Sequence, residues 1–253
     1  MYAWREVLKI ITNSRSLILA TLLCFCAPNA MAVNHNEGLF GSIEFKALSL
    51  TSLPKWTDVL EKIKNEEELF RVCKVDSTRC KEESYAKWIK FIEKNKSVSS
   101  IQTKLDNVNT FANKWPYKTD FDVWQMSDYW ESPAEFLKYS GDCEDYAITK
   151  FVSLKKLGIP PKDLRIVVLY DTIRNIAHAV LSVKVKDKYY IMDSLINMVV
   201  EDETLPHYIP QYSVNDTTRW AHIMPQAIKQ YKEESKEELN PELLLFDSYG
   251  EDE

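Results

Sequence analysis

The stretch GDCEDYAITKFVSLKKLGIPP, residues 141–161, followed by LRIVVLY at 164–170, decides the fold class. Up to Leu157 the apolar residues Tyr146, Ala147, Phe151 and Leu154 recur at three-and-four spacing, which predicts a helix from about 142 to 157 with one buried side. Gly158 stands where a helix C-terminus favours a left-handed residue, and Pro160-Pro161 closes the segment. Beyond it the period changes. LRIVVLY, AHAVLSVKV at 177–185 and YYIMDS at 189–194 are β-branched and aromatic runs separated by polar turns, as in an antiparallel sheet.

Upstream, helical spacing relates Trp56, Val59, Leu60 and Ile63, then Tyr85, Trp88, Ile89 and Ile92, then Ile101, Leu105, Val108 and Ala112. Three or four helices are expected over about 53–115. Ser132 before Pro133 starts another short helix. Helices followed by strands, without alternation, point to an α+β fold with a catalytic core at about 120–200.

With 253 residues, 45% hydrophobic and 28% charged, the chain can bury a sizeable core. A net charge of −6 leaves no basic surplus for phosphate contacts, so nucleic acid is not an expected partner. Arg5, Lys9 and Arg15 precede an apolar run from Leu17 to Ala27, and the segment closes on Ala30-Met31-Ala32, the layout of a cleaved signal peptide over 1–32. The run is too short to be read as a membrane span. Cleavage removes Arg5, Lys9 and Arg15 against Glu6, taking the net charge from −6 to −8. It leaves a domain at 33–232 and a tail at 233–253 with nine acidic residues against Lys236. Of the cysteines, Cys73, Cys80 and Cys143 remain in a compartment that oxidises thiols. Cys73 and Cys80 are close enough in sequence to pair, or to remain two ordinary thiols.

Cys143 falls in the first turn of its helix, where the macrodipole and free backbone N–H groups favour a thiolate and an oxyanion. The other reading is an inert core cysteine. Of the four histidines His178 has the best setting for a base, at the start of an apolar strand, while His207 and His222 lie in irregular polar or Pro-flanked sequence and His35 near the mature terminus. Asp193 ends the run YYIMD, where an unpaired carboxylate is costly. If residues 186 and 187 form a two-residue turn, Val185 pairs with Lys188 and His178 and Asp193 share a sheet face as diagonal neighbours, about 7 to 8 Å apart. Thiol, imidazole and orienting carboxylate would then form a triad.

Asp142, Glu144 and Asp145 oppose thiolate formation at Cys143, each by about 1 kcal/mol at 4 Å in water and about 4 at an effective dielectric of 20. A helix end contributes about 0.3 to 1 kcal/mol and cannot offset three of them. Asp142 and Asp145 on one helix face can converge on a hard cation, Ca²⁺ above all in an exported chain, or simply complement the dipole as solvated acids.

The stretch DYWESPAEFLKYSGDCEDYAITKFVSLKKLGIP at 128–160, with AHAVLSV and YYIMDS, resembles the bacterial transglutaminase-like cysteine proteinases, the LapG-type periplasmic adhesin proteases. The resemblance runs from about Trp124 to Met198. It implies a papain-like or transglutaminase-like fold, a catalytic Cys143, His178 and Asp193, and calcium held by Asp142 and Glu144, with Asp145 a further ligand. It also implies cleavage of a large surface adhesin near its N-terminus, dispersing biofilm, and sequestration by the periplasmic domain of an inner-membrane cyclic di-GMP receptor. Ser194 stands where the family has Asn, and the acidic tail has no counterpart. The alternatives are a transglutaminase-type acyl transferase using the same triad, and a calcium-binding module with a vestigial site.

Overall fold

Why the central helix tolerates burial on every side is explained by its neighbours. The structure, a computed structural model, describes residues 38–227 and 229–230; the expected signal peptide and acidic tail lie outside the described residues. Helices α1 (Pro54–Val75), α2 (Glu83–Asn95) and α3 (Ile101–Ala112) form where helical spacing predicts them. Their inward residues, Trp56, Val59, Trp88, Ile92, Leu105 and Val108 among them, join one core. Cys73 near the end of α1 and Cys80 form a disulfide with Cα atoms 5.1 Å apart, fixing the turn that leads to α2. Two short helices follow, α4 (Asp120–Trp124) and α5 (Pro133–Tyr139), each opened by a capping box, Thr119 with Asp122 and Ser132 with Glu135.

Helix α6 (Cys143–Lys156) ends before Gly158, whose φ of +85° suits only a residue without a side chain. The sequence predicts one apolar side for α6, but Asp145 to Leu154 are all buried. The reason is position. The helix packs on α3 and α5 on one flank and on strands β2 (Leu164–Asp171) and β3 (Ile176–Val185) on the other. Lys150, an unremarkable polar residue in sequence, is therefore enclosed with it.

The sheet is larger than the three strands read from sequence. With β1 (Ile43–Ala47), β4 (Lys188–Met192), β5 (Val200–Glu201), β6 (Tyr208–Val214) and β7 (Arg219–Ile223), the order is β1-β7-β6-β2-β3-β4-β5, and every pairing is antiparallel. The sheet thus continues well past residue 200. Polar composition hid the outer strands, and β6 carries Pro210 where its register against β2 shifts between Val168 and Leu169, a bulge that spares the ladder a missing N–H. His222, expected in irregular sequence, lies on β7 and is buried. Its burial is possible because both ring nitrogens are bonded, to Ser42 Oγ and Ser213 Oγ at 2.8 Å each.

Val185 pairs with Lys188 and Leu181 with Met192, so β3 and β4 are joined by the two-residue turn Lys186-Asp187. Two cores flank the sheet. The larger joins it to the helices, with Trp56 Nε1 donating to Asn215 O at 2.8 Å and Trp88 Nε1 to Ser153 Oγ at 2.8 Å. The smaller gathers Val167, Leu169, Val180, Ile191 and Tyr208 beneath Leu39 and Phe40.

Phe151, fully buried in α6 with its ring edge-on to Trp56 at 5.7 Å, anchors this helix to α1. Phe151→Ala is expected to cost about 3–5 kcal/mol of unfolding free energy, read from urea denaturation.

Candidate active site

Three segments of backbone bring chemistry to one place: the start of α6, the early residues of β3, and the chain just past β4. Asp142 caps α6, and its N–H donates to Asp145 Oδ2 at 2.9 Å. Gly141 makes this return possible, because a Cβ there would lie 2.8 Å from the Asp145 Cγ. Immediately before it, Ser140 adopts φ +66° and ψ 159°, a strained conformation for a residue with a side chain. The Cys143 thiol follows. It is the one free cysteine among the described residues, and it donates to Glu144 Oε2 at 3.2 Å. Burial pushes the thiol pKa far up, and the Glu144 and Asp142 carboxylates push it further. The Ala179 backbone N–H opposes them.

Ala179 is the residue after His178. His178 Nε2 lies 2.9 Å from Asp193 Oδ1, with both side chains almost wholly buried. The neutral ring with its proton on Nε2 leaves Nδ1 as the acceptor. Asp193 is bound by two further donors, Leu195 N–H to Oδ1 at 2.9 Å and the Tyr208 hydroxyl to Oδ2 at 2.6 Å. Burial pushes the Asp193 carboxyl up, but the bonds from His178, Tyr208 and Leu195, with the charge of His178, hold it below the usual range. Among the described residues no hydrogen bond joins the Cys143 sulfur to His178.

The acids around Cys143 form a larger cluster than the sequence pattern indicated. Carboxylate oxygens of Asp120, Asp142 and Asp145, and of Asp120, Asp128 and Glu144, lie within 4.8 Å of one another. Asp120 and Asp128 come from α4 and the loop after it, more than a dozen residues before Cys143, so local spacing gave no sign of them. Asp145 serves the backbone as well: its Oδ1 accepts from Glu131 N–H at 2.7 Å, besides the Oδ2 bond to Asp142. Burial and mutual repulsion raise Asp120, Asp142 and Asp145, and burial pushes Glu131 up to about 7. Asp120 Oδ1, Asp142 Oδ1 and Glu131 Oε2 are buried without a hydrogen-bond partner among the described residues. An all-oxygen cluster with orphaned acceptors suits a hard divalent cation such as Ca²⁺, held by Asp120, Asp142, Glu144 and Asp128, with Asp145 behind them.

Among the described residues, no helix is long and apolar enough to cross a membrane. No curated protein matches the chain. The family of bacterial transglutaminase-like cysteine proteinases matches over residues 64–227. Among solved structures, Legionella pneumophila LapG is 32% identical with a TM-score of 0.52, covering 61% of this chain and 86% of that one. Its EGTA-treated form matches at 32% identity and TM-score 0.52, covering 61% and 84%. Its calcium-bound form matches at 31% identity and TM-score 0.52, covering 63% and 87%. The helices and antiparallel sheet have the transglutaminase-like arrangement of these structures, and the chain belongs to the bacterial transglutaminase-like cysteine proteinases.

Proposed function

We propose that the protein is an exported, calcium-dependent cysteine endopeptidase that cleaves a large cell-surface adhesin near its N-terminus, releasing it and dispersing biofilm. The observation that carries the catalytic part is the packing of the helix that starts at the half-buried Cys143 against β3, which carries the His178–Asp193 pair. Cys143, His178 and Asp193 form the triad. His178 Nδ1, the ring nitrogen left free by the bond to Asp193, takes the thiol proton. The sulfur attacks the scissile carbonyl, and the Cys143 backbone N–H at the helix start receives developing negative charge on its oxygen. His178 then returns the proton to the leaving amine, and water hydrolyses the thioester.

Asp120, Asp128, Asp142 and Glu144 hold calcium in this reading, with Asp145 fixing the loop that presents them. Bound there, the ion supplies the positive charge that a thiolate among these carboxylates needs. The similarity to a LapG determined in calcium-bound and EGTA-treated forms supports it. The adhesin substrate, the periplasmic location and restraint by the periplasmic domain of an inner-membrane cyclic di-GMP receptor follow from the family resemblance and complete the proposal.

Cys143→Ala is expected to abolish release of surface proteins by the purified enzyme while leaving its circular dichroism intact. Mass spectrometry of the released proteins identifies the adhesin and the cut. Incubation with a primary amine should give hydrolysed product without amine adduct; an adduct would instead identify a transferase.

Protons compete with calcium in this cluster. The folded-state pKa values of Asp120, Asp142, Asp145 and Glu131 are raised, so without the ion these groups favour the fold at low pH and oppose it as pH rises above the ordinary carboxylate range. Calcium should therefore raise Tm more at pH 8 than at pH 5.5, and EGTA should remove the difference. Asp120→Asn should weaken calcium binding about tenfold or more by calorimetry; unchanged affinity would remove Asp120 from the ligand set.

A further inference from the structure

Tyr208 lies on β6, three places along the sheet from β4, whose end carries Asp193, and no sequence pattern connects the two. Its hydroxyl nevertheless donates to Asp193 Oδ2 at 2.6 Å, and its ring stands edge-on to the His178 ring at 5.9 Å between centroids. The side chain is 4% exposed. Behind it Phe40 packs edge-on at 6.1 Å, and Phe40 is itself held by its N–H bond to Asp202 Oδ2 at 2.7 Å. The tyrosine therefore cannot swing away without opening the smaller core.

A carboxylate at the end of a strand can turn about its own axis and present either oxygen, or neither, to its histidine. Here Leu195 N–H and His178 Nε2 take Oδ1 while the Tyr208 hydroxyl takes Oδ2, so the plane of the carboxylate is fixed from both ends. Charge-assisted bonds of this kind are short and strong. Resting on the triad reading above, we propose that Tyr208 is a positioning residue of the reaction: it locks Asp193 so that His178 keeps its proton on Nε2 and presents Nδ1 to Cys143, and its ring keeps water from the pair.

The test uses full-length protein labelled with ¹⁵N-histidine, with calcium present, and iodoacetamide at one fixed pH as the probe of Cys143. In the native protein His178 should give a downfield Nε2–H signal that exchanges slowly with water. In Tyr208→Phe that signal should broaden or vanish, and alkylation should slow by about 10- to 100-fold, the range expected for losing one bond to a charged group. His222, bonded at both nitrogens on β7, is the internal control and should be unchanged. Asp193→Ala should slow alkylation at least as much, and adding Tyr208→Phe to it should change little more. Native alkylation and an intact His178 signal in Tyr208→Phe would overturn the proposal. So would loss of the His222 signals, which would assign the tyrosine to folding, or additive effects in the double variant. If Asp193→Ala alone left alkylation unchanged, the triad reading itself would fall.

Discussion

A thiol must lose its proton at the start of a buried helix where the chain has also gathered its carboxylates, and the remainder of the site answers to that constraint. The helix end contributes about 0.3–1 kcal/mol in favour of the anion, while a single carboxylate at 4 Å opposes it by about 4 kcal/mol at an effective dielectric of 20. Asp142 and Glu144 flank the cysteine, and burial enlarges their effect. Two sources of positive charge face this site from different directions. In the proposed reaction the acids would hold a cation on the side of α4 and its following loop, and His178 would take the thiol proton on the side of β3. One is supplied by solution and the other by the chain.

Two aspartates show why these sides behave differently. Asp142 and Asp193 both lose water on folding, which raises a carboxyl pKa. Asp142 is met mainly by other acids, Glu144 first and then Asp145 and Asp120, and goes up. Asp193 is met by three donors, from His178, Tyr208 and Leu195, and goes down. Partners, more than depth, decide the charge. Asp193 can remain an anion through its own hydrogen bonds, whereas the cluster around Asp142 is one that a hard cation would suit.

The parts of this arrangement that depend on neighbours in sequence were legible there. The helix start at Cys143, the two-residue turn after Val185 and the shared face of His178 and Asp193 all follow from periodicity and parity, and the β3–β4 register agrees. What depends on packing was not legible. Asp120, Asp128 and Tyr208 reach the site from α4, its following loop and β6, and each reads as an ordinary polar or aromatic residue. Lys150 reads as a surface lysine on an amphipathic helix. It is buried because α6 is covered by helices on one flank and strands on the other, and burial pulls its amine down to about 7 despite the opposing pull of Asp193. His222 was misplaced for a related reason. A five-residue strand with two polar positions gives no hydrophobic alternation, since its inward histidine is accommodated by hydrogen bonds from β1's flank and β6 rather than by apolar contact.

The site also depends on a mismatch of strand lengths. β3 runs from Ile176 to Val185, but β4 stops at Met192, opposite Leu181, so among the described residues the first five of β3 have no strand partner on that side. A longer β4 would pair this edge and leave its N–H groups committed to a ladder. Because it stops, Asp193 turns out of the strand and accepts from Leu195 N–H, and the Ala179 backbone N–H is left to favour the Cys143 thiolate. The helix that begins at Cys143 packs on this same strand. In the proposed reaction, that open edge is what lets a thiol pressed by carboxylates approach the strand that carries its base.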